Sequence, residues 1–166
     1  MKNKKMGYRV VEYEDRFQQE VIDLILPIQQ KEFNVPVTIH DQPDLQNILA
    51  FYKKGNGNFW VALCEEEVVG TIGIIDFGDD QVALRKMFVQ RDHRGKEKGV
   101  AQLLFNKLKE WCDQKKVREI FLGTINSMYA AHRFYQKNGF TEVLKSGLPE
   151  KFPLMRVDNM FFKCSL

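Results

Sequence analysis

The sequence has little of what marks the specialised protein classes. Only three cysteines occur in 166 residues, Cys64, Cys112 and Cys164, widely spaced and without a Cys-x-x-Cys pair. A disulfide framework or a zinc ribbon needs tighter grouping, so three reduced thiols and no bound metal are expected. No apolar run approaches the ~20 residues that span a bilayer; the most apolar stretch, 68–75, is far shorter. The basic residues 1–6 are not followed by an apolar stretch, so no secretory signal is expected and the chain reads as cytoplasmic, with no membrane partner. Charge of one sign is scarce as well. The 25 Lys and Arg against 22 Asp and Glu leave +3, too mild a surplus to argue for nucleic acid. Internal repeats and a Pro/Ser-rich linker are absent too.

What remains is ordinary globular material: 44% hydrophobic and 28% charged residues. Its length suits one domain over 1–166, long enough to bury a core without staples. Residues 9–13 alternate weakly and read as a strand. Phe17, Val21, Leu24, Ile25 and Ile28 mark an amphipathic helix over 16–31, which Pro27 should bend or end. The segment 34–43 reads as a loop, and Asp44 reads as the N-cap of a short helix through Tyr52. Three strands follow at 59–64, 68–77 and 82–89, separated by turns at 65–67 and 78–80. From Gly99 the period becomes helical, with Val100, Leu104, Leu108 and Trp111 on one face. A strand at 117–122, a helix at 128–137 closed by Asn138-Gly139, and strands at 140–144 and 156–162 complete the chain. The order β-α-α-β-β-β-α-β-α-β-β is that of a mixed α/β or α+β domain with helices covering a sheet.

Two segments carry chemistry. In Arg94-Gly95-Lys96-Glu97-Lys98-Gly99-Val100-Ala101, a strand feeds a charged turn that opens a helix. The first turn of a helix leaves backbone N–H groups unpaired, and the macrodipole adds partial positive charge there. That makes a ready seat for a phosphate or pyrophosphate. Gly95 and Gly99 allow close backbone approach, Ala101 does not block it, and Arg94, Lys96 and Lys98 add cations. The plainer reading is an exposed basic turn, and neither GxxxxGK[ST] nor GxGxxG matches. The second segment is 130–140, Ala-Ala-His-Arg-Phe-Tyr-Gln-Lys-Asn-Gly-Phe. Its small residues let a ligand approach the helix, and Tyr135 offers a hydroxyl that stays protonated at neutral pH. The plainer reading is that Phe134 and Tyr135 are core.

Together these segments resemble the GNAT superfamily of acyl-CoA-dependent N-acetyltransferases. The resemblance lies in a strand ending Met87-Phe88-Val89, then Arg-Gly-x-x-x-Gly-x-Ala, then a strand, then Ala-x-x-Phe-Tyr-x-x-Asn-Gly-Phe. It implies a mixed, mostly antiparallel twisted sheet of about seven strands covered by about four helices. It also implies acetyl-CoA as acyl donor, an amine as acceptor, and a homodimer as one assembly found among relatives. In such proteins the pyrophosphate lies on a Gln/Arg-x-x-Gly-x-Gly/Ala loop, matched here from Lys96 to Ala101, with Lys96 where Gln or Arg is usual. The Arg94-Gly95 pair precedes that pattern. The pantothenate arm pairs with the strand end at Met87, Phe88 and Val89, and the motif tyrosine, Tyr135, is often the general acid. An asparagine seven residues before that tyrosine commonly contacts the cofactor; here the position is Met128 and the nearest asparagine is Asn126.

Acetyl transfer to an amine requires a neutral amine, a stabilised oxyanion and a leaving thiolate. Because an alkyl ammonium titrates near about 10.4, a base must take its proton. Glu32, His40, Asp41 and Asp76 are candidates, His132 is a candidate to orient Tyr135, and the cysteines read as core rather than nucleophiles. The acceptor pocket is expected from 31–43 and 147–153, with Phe33, Phe51, Tyr52 and Phe152 as candidate walls. The competing readings are a non-catalytic acyl-CoA-binding module and a nucleic-acid binder using Arg91, Arg94, Lys96 and Lys98. The second lacks an aromatic stacking platform.

Overall fold

In the computed structural model, which describes residues 7–166, the β-branched and aromatic runs form seven strands. They are β1 (Tyr8–Glu12), β2 (Asn58–Cys64), β3 (Glu67–Gly78), β4 (Gln81–Val89), β5 (Glu119–Thr124), β6 (Thr141–Val143) and β7 (Met160–Ser165). The helices are α1 (Gln18–Pro27), α2 (Pro43–Gln46), α3 (Ile48–Tyr52), α4 (Val100–Gln114) and α5 (Tyr129–Lys137). The basic stretch 1–6 lies outside the described residues. The sheet order is β1-β2-β3-β4-β5-β7-β6, antiparallel throughout except for the parallel pair β4–β5. Among the described residues no helix is long and apolar enough to cross a membrane.

The mixed, mostly antiparallel sheet of seven strands matches expectation, but several boundaries move. The helix expected over 44–52 breaks at Asn47, whose φ/ψ of −150°/74° is not helical and whose side chain caps α3 through the amide of Ala50. Hence the described residues carry five α-helices rather than four. Asp44 is not an N-cap. It is buried in α2 and accepts the Tyr52 hydroxyl at 2.6 Å. Pro27 ends α1, and the chain then widens into one π-helical turn over Ile28–Glu32. The strand expected at 117–122 starts later because the Val117 amide still donates to Cys112 at the end of α4. Similarly, 155–159 turn back on themselves before β7, with the Asp158 amide donating to the Met155 carbonyl.

Helices α1–α3 cover one face of the sheet, and α4 and α5 the other. On β2, Phe59, Val61 and Leu63 pack among Val21, Ile25, Leu45 and Ile48, while Trp60, Ala62 and Cys64 pack among Leu104, Leu108 and Cys112. Both faces are therefore buried, which is why β2 reads as a continuous apolar run rather than an alternation.

Two irregularities in β4 position the site. First, β4 pairs with β5 only where Gln81–Ala83 face Glu119–Phe121. Beyond that point β4 continues on β3 and β5 continues on β7, so a gap opens between them. Second, the register jumps from Gly73↔Arg85 to Thr71↔Phe88, a bulge that puts Lys86 at φ +54°. The Thr71 hydroxyl donates to the Lys86 carbonyl at 2.7 Å inside the core and holds that strained turn. Thr71→Val leaves a buried carbonyl without this partner. It is expected to cost about 1–3 kcal/mol, read as a lower urea midpoint at unchanged m-value.

Candidate active site

The β4–β5 gap forms a cleft of about 110 Å³. Its floor is β4 from Leu84 to Phe88; one side is Gly123, Thr124 and Ile125 with Met128, Ala131 and Tyr135 of the α5 region. The other side is Gln29, Val35, Val37 and Gln42, and Met155, Val157 and Asp158 close it. The small residue Ala131 leaves room beside Tyr135, as expected from the Ala-Ala pair.

Tyr135 is 6% exposed, held by Phe140 and Phe162 at ring-centroid distances of 5.6 and 5.9 Å. Among the described residues its hydroxyl has no hydrogen-bond partner, so the proton is free for a ligand in the cleft. Burial, reinforced by the charge of Asp158, pushes its pKa further above the ordinary phenol value. The group is a hydroxyl donor throughout the neutral range.

Asp158 was not among the expected bases, yet it is the carboxylate that lines the cleft. It lies against Gly123: an idealised Cβ there would be 2.5 Å from Oδ2 and 3.0 Å from Cγ, so glycine makes the approach feasible. Burial raises its pKa to about 6, against a smaller downward pull from Arg85 and Lys86. The four expected bases do not line the cleft. Glu32 is paired with Arg94, and Asp41 closes a capping box on Thr38. Asp76 accepts the amides of Asn56 and Gly78, and His40 is exposed on a 3-10 turn. His132 is buried and binds the Ile125 carbonyl through Nε2 at 2.9 Å, which fixes the loop before α5 rather than Tyr135. Of the expected pocket walls, Phe33, Phe51, Tyr52 and Phe152 stay outside the lining. Val35, Val37 and Gln42 from the 31–43 segment are in it, and 155–158 replace 147–153.

Beneath the cleft runs a buried polar chain. Lys86 donates to Gln42 Oε1 at 2.6 Å and lies 3.6 Å from Asp44, which accepts from Tyr52; Gln42 and Gln29 bond each other at 2.9 Å. Burial lowers the Lys86 ammonium to about 8 despite the nearby Asp44 carboxylate.

At the start of α4, Gly99 is the N-cap at φ +66° and makes no side-chain cap. Gly95, at φ +114°, accepts the amides of Lys98 and Gly99 through its carbonyl, tightening the turn. The amides of Val100, Ala101 and Gln102 therefore begin the helix without partners in it. A surface hollow there is lined by Tyr8, Lys96, Glu97, Lys98, Gly99 and Gln102. The expected cations do not all face it. Arg94 makes a bidentate pair with Glu32 at 2.7 and 2.9 Å and donates to the Val89 carbonyl at 2.8 Å, tying the end of β4 to the turn after α1. Lys98 donates to the Asp92 carbonyl, while Lys96 is exposed. Met87 and Phe88 line the cleft, and Val89 ends β4. Asn126 is exposed with its amide on Asn159 Oδ1, and Met128 lines the cleft in its place. The cysteines are buried, and burial pushes the Cys112 thiol up to about 12.

Residues 22–140 match the family model described as the acetyltransferase (GNAT) family. Among curated relatives, N-acetylaspartate synthetase of Xenopus tropicalis is 37% identical over 102 residues, covering 60% of this chain and 37% of that protein. Human N-acetyltransferase 8B is 31% identical over 116 residues, covering 66% of this chain and 50% of that protein. The chain thus spans half or less of the length of these two relatives. Among solved structures, an acetyltransferase of the GNAT family from Staphylococcus aureus Mu50 superposes with TM-score 0.92 at 37% identity, covering 96% of this chain and 99% of that one. An N-acetyltransferase from Thermoplasma acidophilum, solved in complex with coenzyme A, shares the fold at TM-score 0.75 and 12% identity.

Proposed function

The chain belongs to the GNAT acetyltransferase family, and from that membership we propose that it moves the acetyl group of acetyl-CoA directly to a primary amine in a ternary complex. The observation that carries this reading is the β4–β5 cleft, whose lining holds both the unpartnered Tyr135 hydroxyl and the Asp158 carboxylate. The diphosphate of the donor lies on the free amides of Val100, Ala101 and Gln102. The pantetheine arm runs along the edge of β4 at Met87–Val89, which β5 leaves unpaired. This keeps the thioester near Tyr135. Asp158 takes a proton from the acceptor ammonium, and the amine nitrogen attacks the thioester carbonyl. A C–N bond forms, the C–S bond breaks, Tyr135 donates its proton to the departing thiolate, and the second proton of the attacking nitrogen returns to the Tyr135 oxygen, leaving a neutral amide. Strand-end amides near the Lys86 bulge stabilise the oxyanion. No residue is acylated, in keeping with the burial of all three cysteines. Those unpaired thiols also support a reducing, cytoplasmic setting, and the whole of 1–166 is read as one acetyltransferase domain.

Thiol release from acetyl-CoA in the presence of amines tests the reading. Coenzyme A bound with no release by any amine leaves a binding module instead. Gly99→Val probes the donor site. A left-handed φ costs an L-residue roughly 1–2 kcal/mol, and relaxing it re-aims the first-turn amides. Coenzyme A affinity by calorimetry is expected to fall about tenfold or more; unchanged affinity moves the diphosphate elsewhere.

A further inference from the structure

Two charged side chains in the cleft have no partner of their own among the described residues. Arg85 of β4 is half-buried, and its guanidinium meets only the Met155 thioether, Nη2 to Sδ at 2.8 Å. A thioether is a weak acceptor, so the guanidinium fork is unfilled. The Asp158 carboxylate forms no hydrogen bond or ion pair, and it is not joined to Arg85. Lys86 differs, because Asp44 and Gln42 already satisfy its ammonium. The cleft thus presents one open cation on β4 and one open anion on the turn before β7, not in ion-pair contact with each other although the charge of Arg85 acts on Asp158.

A group partly withdrawn from water without a partner is costly, unless a ligand supplies the partner. A polyamine or a simple alkylamine satisfies Asp158 but meets Arg85 as a like charge. A lysine side chain in a protein brings no carboxylate beside its amine. We infer that the acceptor is a free amino acid bound as a zwitterion, its carboxylate on the Arg85 guanidinium and its amino group on Asp158. The planar guanidinium suits bidentate capture of a carboxylate, and Arg85 and Asp158 line the same cleft of about 110 Å³. The inference rests on the acetyl-transfer reading and narrows its acceptor class. Anchoring the carboxylate points the amine at the thioester, and the proton it sheds goes to Asp158.

The test measures thiol release from acetyl-CoA with the standard free L-amino acids. For each active one, the amide and the decarboxylated amine are measured alongside, and coenzyme A binding is measured by calorimetry in parallel. The amide has the more acidic ammonium, so intrinsic reactivity favours it. A site built on Arg85 reverses that order, with kcat/KM higher for the amino acid by about tenfold to hundredfold, the value of a charge-assisted pair. In Arg85→Gln the ratio of amino acid to amide is expected to collapse to within about threefold. Because it is a ratio within one variant, a general loss of folded protein does not imitate it, and Arg85→Lys should restore part of the preference. Equal or better turnover of the amide or decarboxylated amine in the wild type overturns the amino-acid inference and leaves the acetyltransferase reading standing. Bound coenzyme A with release by none of the amino acids overturns the amino-acid inference alone, and the acetyltransferase reading falls with it only if the amines also release no thiol.

Discussion

Tyr135→Phe is expected to lower kcat about a hundredfold while coenzyme A binds as before. The two halves of that statement have different physical sources. The ring is held by Phe140 and Phe162, and the hydroxyl bonds to no described residue, so its removal breaks no internal contact. Stability should change by less than about 0.5 kcal/mol. What is lost is the proton donor to the thiolate, worth about 10²–10⁴ for a well-placed acid. Because burial raises the pKa of this phenol, the wild-type rate should show no limb from tyrosine ionisation through the neutral range. Unchanged kcat in the variant removes Tyr135 as the acid.

The parts of the site legible in the sequence are those encoded by short-range patterns. The opening of α4 was readable because glycines, helical periodicity and a preceding strand lie within a few residues. Tyr135 is singled out by the resemblance carried by Ala-x-x-Phe-Tyr-x-x-Asn-Gly-Phe, because the small residues before it leave it open between a hydroxyl donor and a core ring. The parts that were not legible depend on chain segments far apart. Asp158 reaches the cleft only because β7 pairs with β5 and folds the preceding turn onto Gly123, 35 positions earlier. Its own neighbourhood, Arg156 to Phe162, reads as strand. A lysine at positive φ is equally invisible, since β4 contains no glycine, asparagine or aspartate to mark the bulge, and the Thr71 hydroxyl that holds it lies on the neighbouring strand. Arg94 reads in the sequence as a cation for the phosphate turn, but its guanidinium is taken by Glu32, 62 residues away, so its role as a tie between the turn after α1 and β4 has no local signal. Asp44 looked like a cap because acidic residues at helix starts usually are. Here Tyr52 and Lys86 converge on it and turn it into a buried acceptor.

Asp158→Asn carries the other large effect, and it acts in opposite directions on rate and stability. Loss of the base is expected to lower kcat/KM by about 10²–10⁴. In the wild type, rate should rise with pH through about 6, where the half-buried carboxyl ionises, and that limb should be missing from the residual activity of the variant. Stability runs the other way. The folded-state value of about 6 lies above the 3.8 of an ordinary aspartate, so between those pH values the folded protein binds more protons than the unfolded chain. Its stability therefore falls as pH rises through that window, and at neutral pH the ionised carboxylate is a net cost to the fold. Asparagine carries no charge to desolvate, so the variant should melt higher than wild type at pH 7, and the difference should vanish near pH 4. A structural residue would lose rate and stability together. A slower enzyme that is also the more stable one is the signature of a carboxylate kept in the cleft for chemistry; a variant that melts lower at pH 7 while keeping its rate assigns Asp158 to the fold alone.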